Sequence, residues 1–213
     1  MMLNNTKTKE PALHKGAQSI LNAALVLFSK KGFKSASINE IAKKAEVSKA
    51  NIYHHFKSKE CLYQQVLEEA CDRLFTSLNT VEESLPDSPE DRLKTFFSEH
   101  LQCLLKNPVS TNLIKRELMD NNSIDGRMLA KDVFSETFSK IILLVQESQD
   151  IQNSSNGIDA PLLAFILVGM NMFFFESQGI LKYLPQVNDF VDSPEFYSEE
   201  VFDLLIEGFK CKT

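Results

Sequence analysis

Apolar residues recur every three or four positions along most of the chain, and no stretch alternates convincingly in the manner of a strand, so the pattern predicts an all-helical protein. A first helix is expected from about His14 to Lys31, with Ile20, Ala24, Leu27 and Phe28 on one face and Gly32 as its stop. Ser37 with Glu40 three residues on forms a capping box, and Ile38, Ile41, Ala42 and Ala45 then share a face, so a second helix runs from near Ser37 to near Ala45. After the connector Ala45-Glu46-Val47, Ser48 caps a third helix in which Ile52 and Phe56 point inward and Lys49, Asn51, Tyr53, His54 and His55 stay outside. Ser58 opens a fourth, from about Lys59 into the low 80s through Leu62, Val66, Ala70 and Leu74.

Pro86 and Pro89 break the chain, Ser88 caps a fifth helix to about Lys106, and Asn107-Pro108 ends it. Shorter helical text follows from about Ser110 to Met119, then a long helix from about Gly126 to Gln149, carrying Phe134, Phe138, Ile141, Ile142 and Val145. The polar loop QNSSNG leads to an apolar helix that begins after Asp159, and a last helix occupies about Glu195 to Phe209. The apolar run PLLAFILVGMNMFFF, Pro161 to Phe175, is 15 residues long and contains Asn171, short of the roughly 18 to 20 a membrane span needs. A helix apolar all round must be covered on every side by protein, and this one is expected to lie partly between subunits, together with Val201, Leu204, Leu205 and Phe209 of the last helix.

Charge divides the chain in two. Residues 1 to 59 hold 11 lysines against 3 acidic residues, while the remainder carries 12 basic against 26 acidic residues. A basic head neutralises phosphates and favours binding to a duplex, and an acidic body is repelled by it. The expected organisation is therefore a flexible basic arm (1–13), a DNA-binding head (14–74) and a helical body (75–213). Cys61, Cys71, Cys103 and Cys211 lie singly without a CxxC pair, so neither a zinc knuckle nor a disulfide framework is indicated. The N-terminus lacks the apolar core of a signal peptide, and a cytoplasmic protein is expected.

Two short capped helices joined by a tight turn, with basic and polar groups crowded onto the second, have the layout of a helix-turn-helix. The segment GFKSASINEIAKKAEVSKANIYHHFKSKECLY moreover resembles the DNA-binding domain of the tetracycline-repressor (TetR) family of bacterial transcriptional regulators. The shared features are Gly-Phe after the first helix, a hydroxyl residue capping the second, Ile-Ala within it, Val-Ser opening the third, then Tyr-x-His-Phe and Lys-x-Lys-Glu. The resemblance implies a phosphate contact for Ser37, base reading by Lys49 and Asn51, backbone contacts by Tyr53 and His55, and a phosphate contact by Lys59. Asn39, Ser48 and His54 complete the candidate DNA contacts. Residues 1 to 72 contain no arginine, which leaves any guanine readout to lysine.

The resemblance further implies a small-molecule pocket between the fifth to eighth helices; one recognition helix covers only a few base pairs, so a homodimer on a near-palindromic operator is expected, with no cofactor and no resident metal. The body is rich in phenylalanine, and such pockets are mainly apolar with a few placed polar groups. The candidate effector contacts are His100, Cys103, Arg116, Phe134, Phe138, Asn171 and Phe175, and the ligand is expected to be apolar or amphipathic. A repressor released by such an effector is the first expectation, and a DNA-binding regulator without ligand control is the alternative. A third reading, a metal-binding protein or enzyme using His100 and Cys103 with Glu99, lacks a further ligand or an orienting third group in the sequence.

Overall fold

Five serines begin helices by the same device, Ser193 through the Phe196 N–H at 3.3 Å among them. The hydroxyls of Ser37, Ser48, Ser58 and Ser88 accept the backbone N–H three residues on, from Glu40 at 3.2 Å and from Asn51, Cys61 and Asp91 at 3.1 Å. Each satisfies one of the donors that a helix start leaves without an intrahelical partner. The computed structural model describes residues 15–76, 88–119, 129–151, 158–185 and 187–210. The expected basic arm, the stretch of the fourth helix beyond residue 76, the QNSSNG loop and Cys211 lie outside the described residues.

The described helices are α1 (Lys15–Ser35), α2 (Ile38–Lys44), α3 (Lys49–His55), α4 (Lys59–Leu74), α5 (Pro89–Lys106), α6 (Pro108–Met119), α7 (Ser135–Ile151), α8 (Ala160–Leu181), α9 (Asn188–Asp192) and α10 (Pro194–Lys210). No strand occurs among the described residues, so the fold is all-α. The chain divides into two compact units, residues 1–66 and 67–213.

In the head unit, α1 breaks at Gly32, whose φ of 76° and ψ of 169° suit a residue without a Cβ. The turn from α2 to α3 places Glu46 at φ 57°, with its N–H donating to the Lys43 carbonyl and the Val47 N–H to the Ala42 carbonyl. That pair of bonds is a Schellman closure, which fixes the angle at which α3 leaves α2. Ile20, Phe28, Ile41, Ile52 and Tyr63 are fully buried and make the core that holds the two short helices, α2 and α3.

In the body unit, α5 carries Leu93, Phe96, Phe97 and Leu101, all fully buried, into a core completed by Ile141 and Val145 of α7, Leu163 and Leu167 of α8, and Phe202 of α10. Burying a phenylalanine is worth about 1.5–3 kcal/mol, so α5 anchors this unit. Three sequence expectations need correction. The long helix is not α-helical from its start: a π-helical turn, Leu129–Phe134, precedes α7. There the Ser135 hydroxyl donates to the Lys131 carbonyl and the Cys71 thiol to the Val133 carbonyl, so local carbonyls find partners outside the usual helix ladder.

The apolar helix α8 is also longer than its apolar run, 22 residues rather than 15, and by length and composition it could cross a membrane. Its residues Leu163, Ala164, Leu167, Asn171 and Phe174 are nevertheless buried in the body, and Glu176 pairs with Lys115 of α6. Leu162, Phe165, Phe173 and Ile180 stay exposed on the same helix. On α10, the residues expected to face a second subunit separate: Val201 and Leu205 lean on the unit's own core, and Leu204 is exposed. Their spacing on one helix could not decide this, because it does not reveal which side the core occupies.

Candidate nucleic-acid interface and effector site

The head places its candidate contacts by caps and by an aromatic cluster. At the start of α2 the Ser37 backbone N–H donates to Glu40 Oε2 at 3.1 Å, closing the capping box, and Lys31 of α1 pairs with the same carboxylate. These bonds, Lys31 first, pull the Glu40 carboxyl down to about 2. Ser37, Asn39, Ser48, Lys49, Tyr53 and His54 are exposed, and His55 is half-buried. The His54 and His55 rings stand 5.3 Å apart at 71°, edge against face.

Asn51 sits differently from expectation. It is half-buried, and its Oδ1 is enclosed without a hydrogen-bond partner among the described residues. Pairing with adenine needs the oxygen and the NH2 presented together, so this rotamer does not offer the two-bond contact.

Lys59, at the first position of α4, extends its ammonium over the Phe33 ring, 4.5 Å from the centroid. Phe33 in turn packs on Tyr63 at 4.9 Å, and Tyr63 meets Phe28 edge-on at 4.7 Å. A cation held over a ring keeps its charge while its rotamer freedom is reduced. Sequence reasoning missed Phe33 as a positioning residue. The signal available was its place directly after Gly32, where the helix must break.

In the body, the structure brings two of the candidate effector residues together. Asn171 of α8 and His100 of α5 are both fully buried, with Asn171 Nδ2 3.2 Å from His100 Nδ1. Asn171 Nδ2 also donates to the Phe97 carbonyl at 2.8 Å, which fixes the amide orientation, since the reverse would set carbonyl against carbonyl. His100 Nδ1 therefore accepts, and the ring proton resides on Nε2. The imidazole stacks nearly parallel to Phe75 at 4.9 Å and to Phe96 at 5.6 Å. Burial pushes its pKa down to about 3, so the ring is neutral at physiological pH. Two atoms of the pair, His100 Nε2 and Asn171 Oδ1, are buried and have no hydrogen-bond partner among the described residues.

The other candidates spread out. Cys103 lies one turn beyond His100 and is half-buried, Arg116 is half-buried on α6, and Phe134 is half-buried in the π-helical turn. Phe138 packs against the body core, and Phe175 is half-buried beside the buried Phe174. Among the described residues no three His, Cys, Asp or Glu side chains converge as a metal site, and Glu99 with His100 and Cys103 is no exception. Burial pushes the Cys71 thiol up to about 11, which leaves it protonated. Sequence reasoning missed the two ring partners as site residues. Phe96, four residues before His100 on one helix face, was recoverable from spacing; Phe75 was not.

Residues 20–66 match the model of the tetR family of bacterial regulatory proteins. The head is a TetR-type DNA-binding domain. The uncharacterized HTH-type transcriptional regulator YuxN of Bacillus subtilis is 36% identical over 177 residues, which are 81% of this chain and 58% of that protein. The chain thus spans under two thirds of that relative's length. Among solved structures, FadR from Bacillus subtilis in complex with stearoyl-CoA superimposes with a TM-score of 0.71 at 18% identity, covering 90% of this chain and 98% of that one. AibR in complex with isovaleryl coenzyme A and operator DNA gives a TM-score of 0.67 at 18% identity, again covering 90% and 98%. At these identities the likeness shows a TetR-type fold.

Proposed function

We propose that this protein is a cytoplasmic, homodimeric, sequence-specific DNA-binding regulator of the TetR family, a repressor released from a near-palindromic operator by a small apolar or amphipathic effector. The observation that carries the reading is the head's recognition surface. A capped α2–α3 pair presents Lys49, Tyr53 and His54 to solvent, and α4 opens with Lys59 held over Phe33. Lys49 donates to base edges in the major groove, Ser37, Tyr53, His55 and Lys59 hold the backbone, and Asn51 turns its amide outward on contact. The AibR structure, with both an acyl-CoA and operator DNA bound, supports the combination of the two partners in one fold.

The effector site of this reading is the His100–Asn171 pair and its phenylalanine walls. Phe75, the residue directly after α4, stacks on His100. A ligand that displaces this ring acts on the C-terminal end of the helix whose first residue is Lys59. A hundredfold loss of operator affinity requires about 2.7 kcal/mol of coupling, within the usual allosteric range, and linkage makes the operator weaken effector binding by the same factor.

Selection of a random duplex pool on the purified protein, followed by anisotropy titration, tests the reading. A near-palindrome bound at least a thousandfold more tightly than scrambled duplex, and released by an apolar compound, is the expected result; uniform affinity for all duplexes overturns it. The enclosure of both unpaired atoms of the pair favours one second reading, DNA binding without ligand control. An operator complex indifferent to a broad set of apolar metabolites would establish it.

A further inference from the structure

Lys59 opens α4, where a helix presents its positive end, so its charge works against the helix dipole. Among the described residues no carboxylate forms an ion pair with it. The carboxylate of Glu60, the next residue, accepts from its own backbone N–H and from the Ser58 hydroxyl. What meets the ammonium is the Phe33 ring, with 4.5 Å from nitrogen to centroid. That ring is held in turn. Tyr63, one turn after Lys59 on α4, packs on it at 4.9 Å, and the fully buried Phe28 meets Tyr63 edge-on at 4.7 Å. Lys31 of the same head shows the other arrangement, an ion pair with Glu40 that neutralises its charge. A ring places an ammonium without neutralising it and leaves the full charge for an external anion.

We infer that the Phe28–Tyr63–Phe33 stack contributes to DNA affinity by pre-organisation: Phe33 is a positioning residue that holds the Lys59 ammonium, unpaired, where it meets a phosphate. The inference rests on the reading of the head as a DNA-binding domain and names what aims one of its backbone contacts. A lysine that grips a phosphate from solvent gives up its rotamer freedom at that moment. Over the Phe33 ring that freedom is already restricted, so the contact forms at a smaller entropic cost, and the ammonium stays on the ring in the complex. The ring itself carries no charge and releases no counterion. Loss of Phe33 therefore weakens binding without changing its salt dependence, whereas loss of Lys59 changes both.

The test is a double-mutant cycle on the full chain, with the selected operator and its scrambled duplex. Phe33→Leu keeps apolar bulk against Tyr63 and should lose roughly three- to fivefold in affinity per subunit on both duplexes, with the log–log salt slope unchanged. Phe33→Tyr should restore the affinity. In a Lys59→Ala background, Phe33→Leu should cost less than about twofold, because the interaction it removes is already gone. An equal loss in both backgrounds makes Phe33 a core residue only and overturns the inference, as does a slope that falls by about 1 with Phe33→Leu. Should Phe33→Leu not fold, the wild type decides. With 13C-labelled lysine, the Lys59 ε-methylene, assigned by its absence from Lys59→Arg, should resonate upfield in the ring current of Phe33, free and on operator alike. An unshifted Lys59 resonance in either state overturns the inference. If the wild type binds operator and a folded Phe33→Leu binds it as tightly, the inference alone falls; if the wild type binds no duplex, the DNA-binding reading falls with it.

Discussion

Ser37 and Glu40 cap one another: the Glu40 backbone N–H donates to the Ser37 hydroxyl at 3.2 Å, and the Ser37 backbone N–H donates to the Glu40 carboxylate at 3.1 Å. Replacing Ser37 by alanine removes an N-cap worth about 1 kcal/mol, and the α2 start loses the hydroxyl proposed to meet a DNA phosphate. Urea unfolding followed by far-UV circular dichroism should show the lower midpoint, and operator affinity should fall with it. The Glu40 carboxyl has a folded pKa of about 2 against an ordinary 4.5, so its support is fully present above about pH 4.5 and is lost as pH falls through 2. Glu40→Gln should abolish that part of the acid dependence.

Two lysines of the head separate positioning from reading. Lys59→Ala should weaken binding to operator and scrambled duplex alike and make the log–log salt slope shallower by about 1, because a phosphate contact releases a counterion whatever the sequence. Lys49→Ala should instead cost roughly 1–3 kcal/mol on the preferred operator and flatten the preference at one or two positions of each half-site. Anisotropy titrations at several salt concentrations distinguish them; an equal loss on both duplexes for Lys49→Ala would remove it from base reading.

Assembly should depend on the outer faces of α8 and α10. Phe165 is 66% exposed and Leu204 70%, whereas Val201 and Leu205 support the core of their own subunit. Phe165→Glu with Leu204→Glu should therefore give folded monomers with poor operator affinity at micromolar concentration in a sedimentation experiment. Glutamate at Val201 and Leu205 should lower thermal stability as well. A wild-type monomer at that concentration would refute the dimer.

Acid should destabilise the body through His100. Its folded pKa of about 3 lies below the ordinary 6.5, so between those values the unfolded chain binds a proton that the folded chain does not. Stability from this group is complete above about pH 6.5 and declines as pH falls toward 3, at about 1.4 kcal/mol per pH unit. Urea midpoints of the wild type should fall more steeply than those of His100→Phe from pH 6 to pH 4. Parallel profiles would mean that the imidazole is already charged in the folded state.

The helix starts were legible because each requires residues only three apart. Ser37, Ser48, Ser58 and Ser88 announce α2, α3, α4 and α5, and the structure makes all four bonds. Gly32 likewise announced a break, since its backbone enters a region that side chains disfavour. The all-helical class and the outward placement of Lys49, Tyr53 and His54 follow from such local rules.

Tertiary structure alone decided which apolar residues share a core and which polar residues meet. Val201, Leu204 and Leu205 fit one helical stripe, yet only packing set Leu204 outward, because the position of the neighbouring helices, not the stripe, chooses the buried side. Asn51 belongs to an outward pattern, yet neighbouring atoms enclose its oxygen. His100 and Asn171 are separated by 71 positions, and nothing in the spacing of either helix says that they touch. Their bond, the tautomer it fixes and the two unpaired atoms it leaves exist only because α5 and α8 pack with those faces together, and residue spacing along one helix carries no information about the face its neighbour presents.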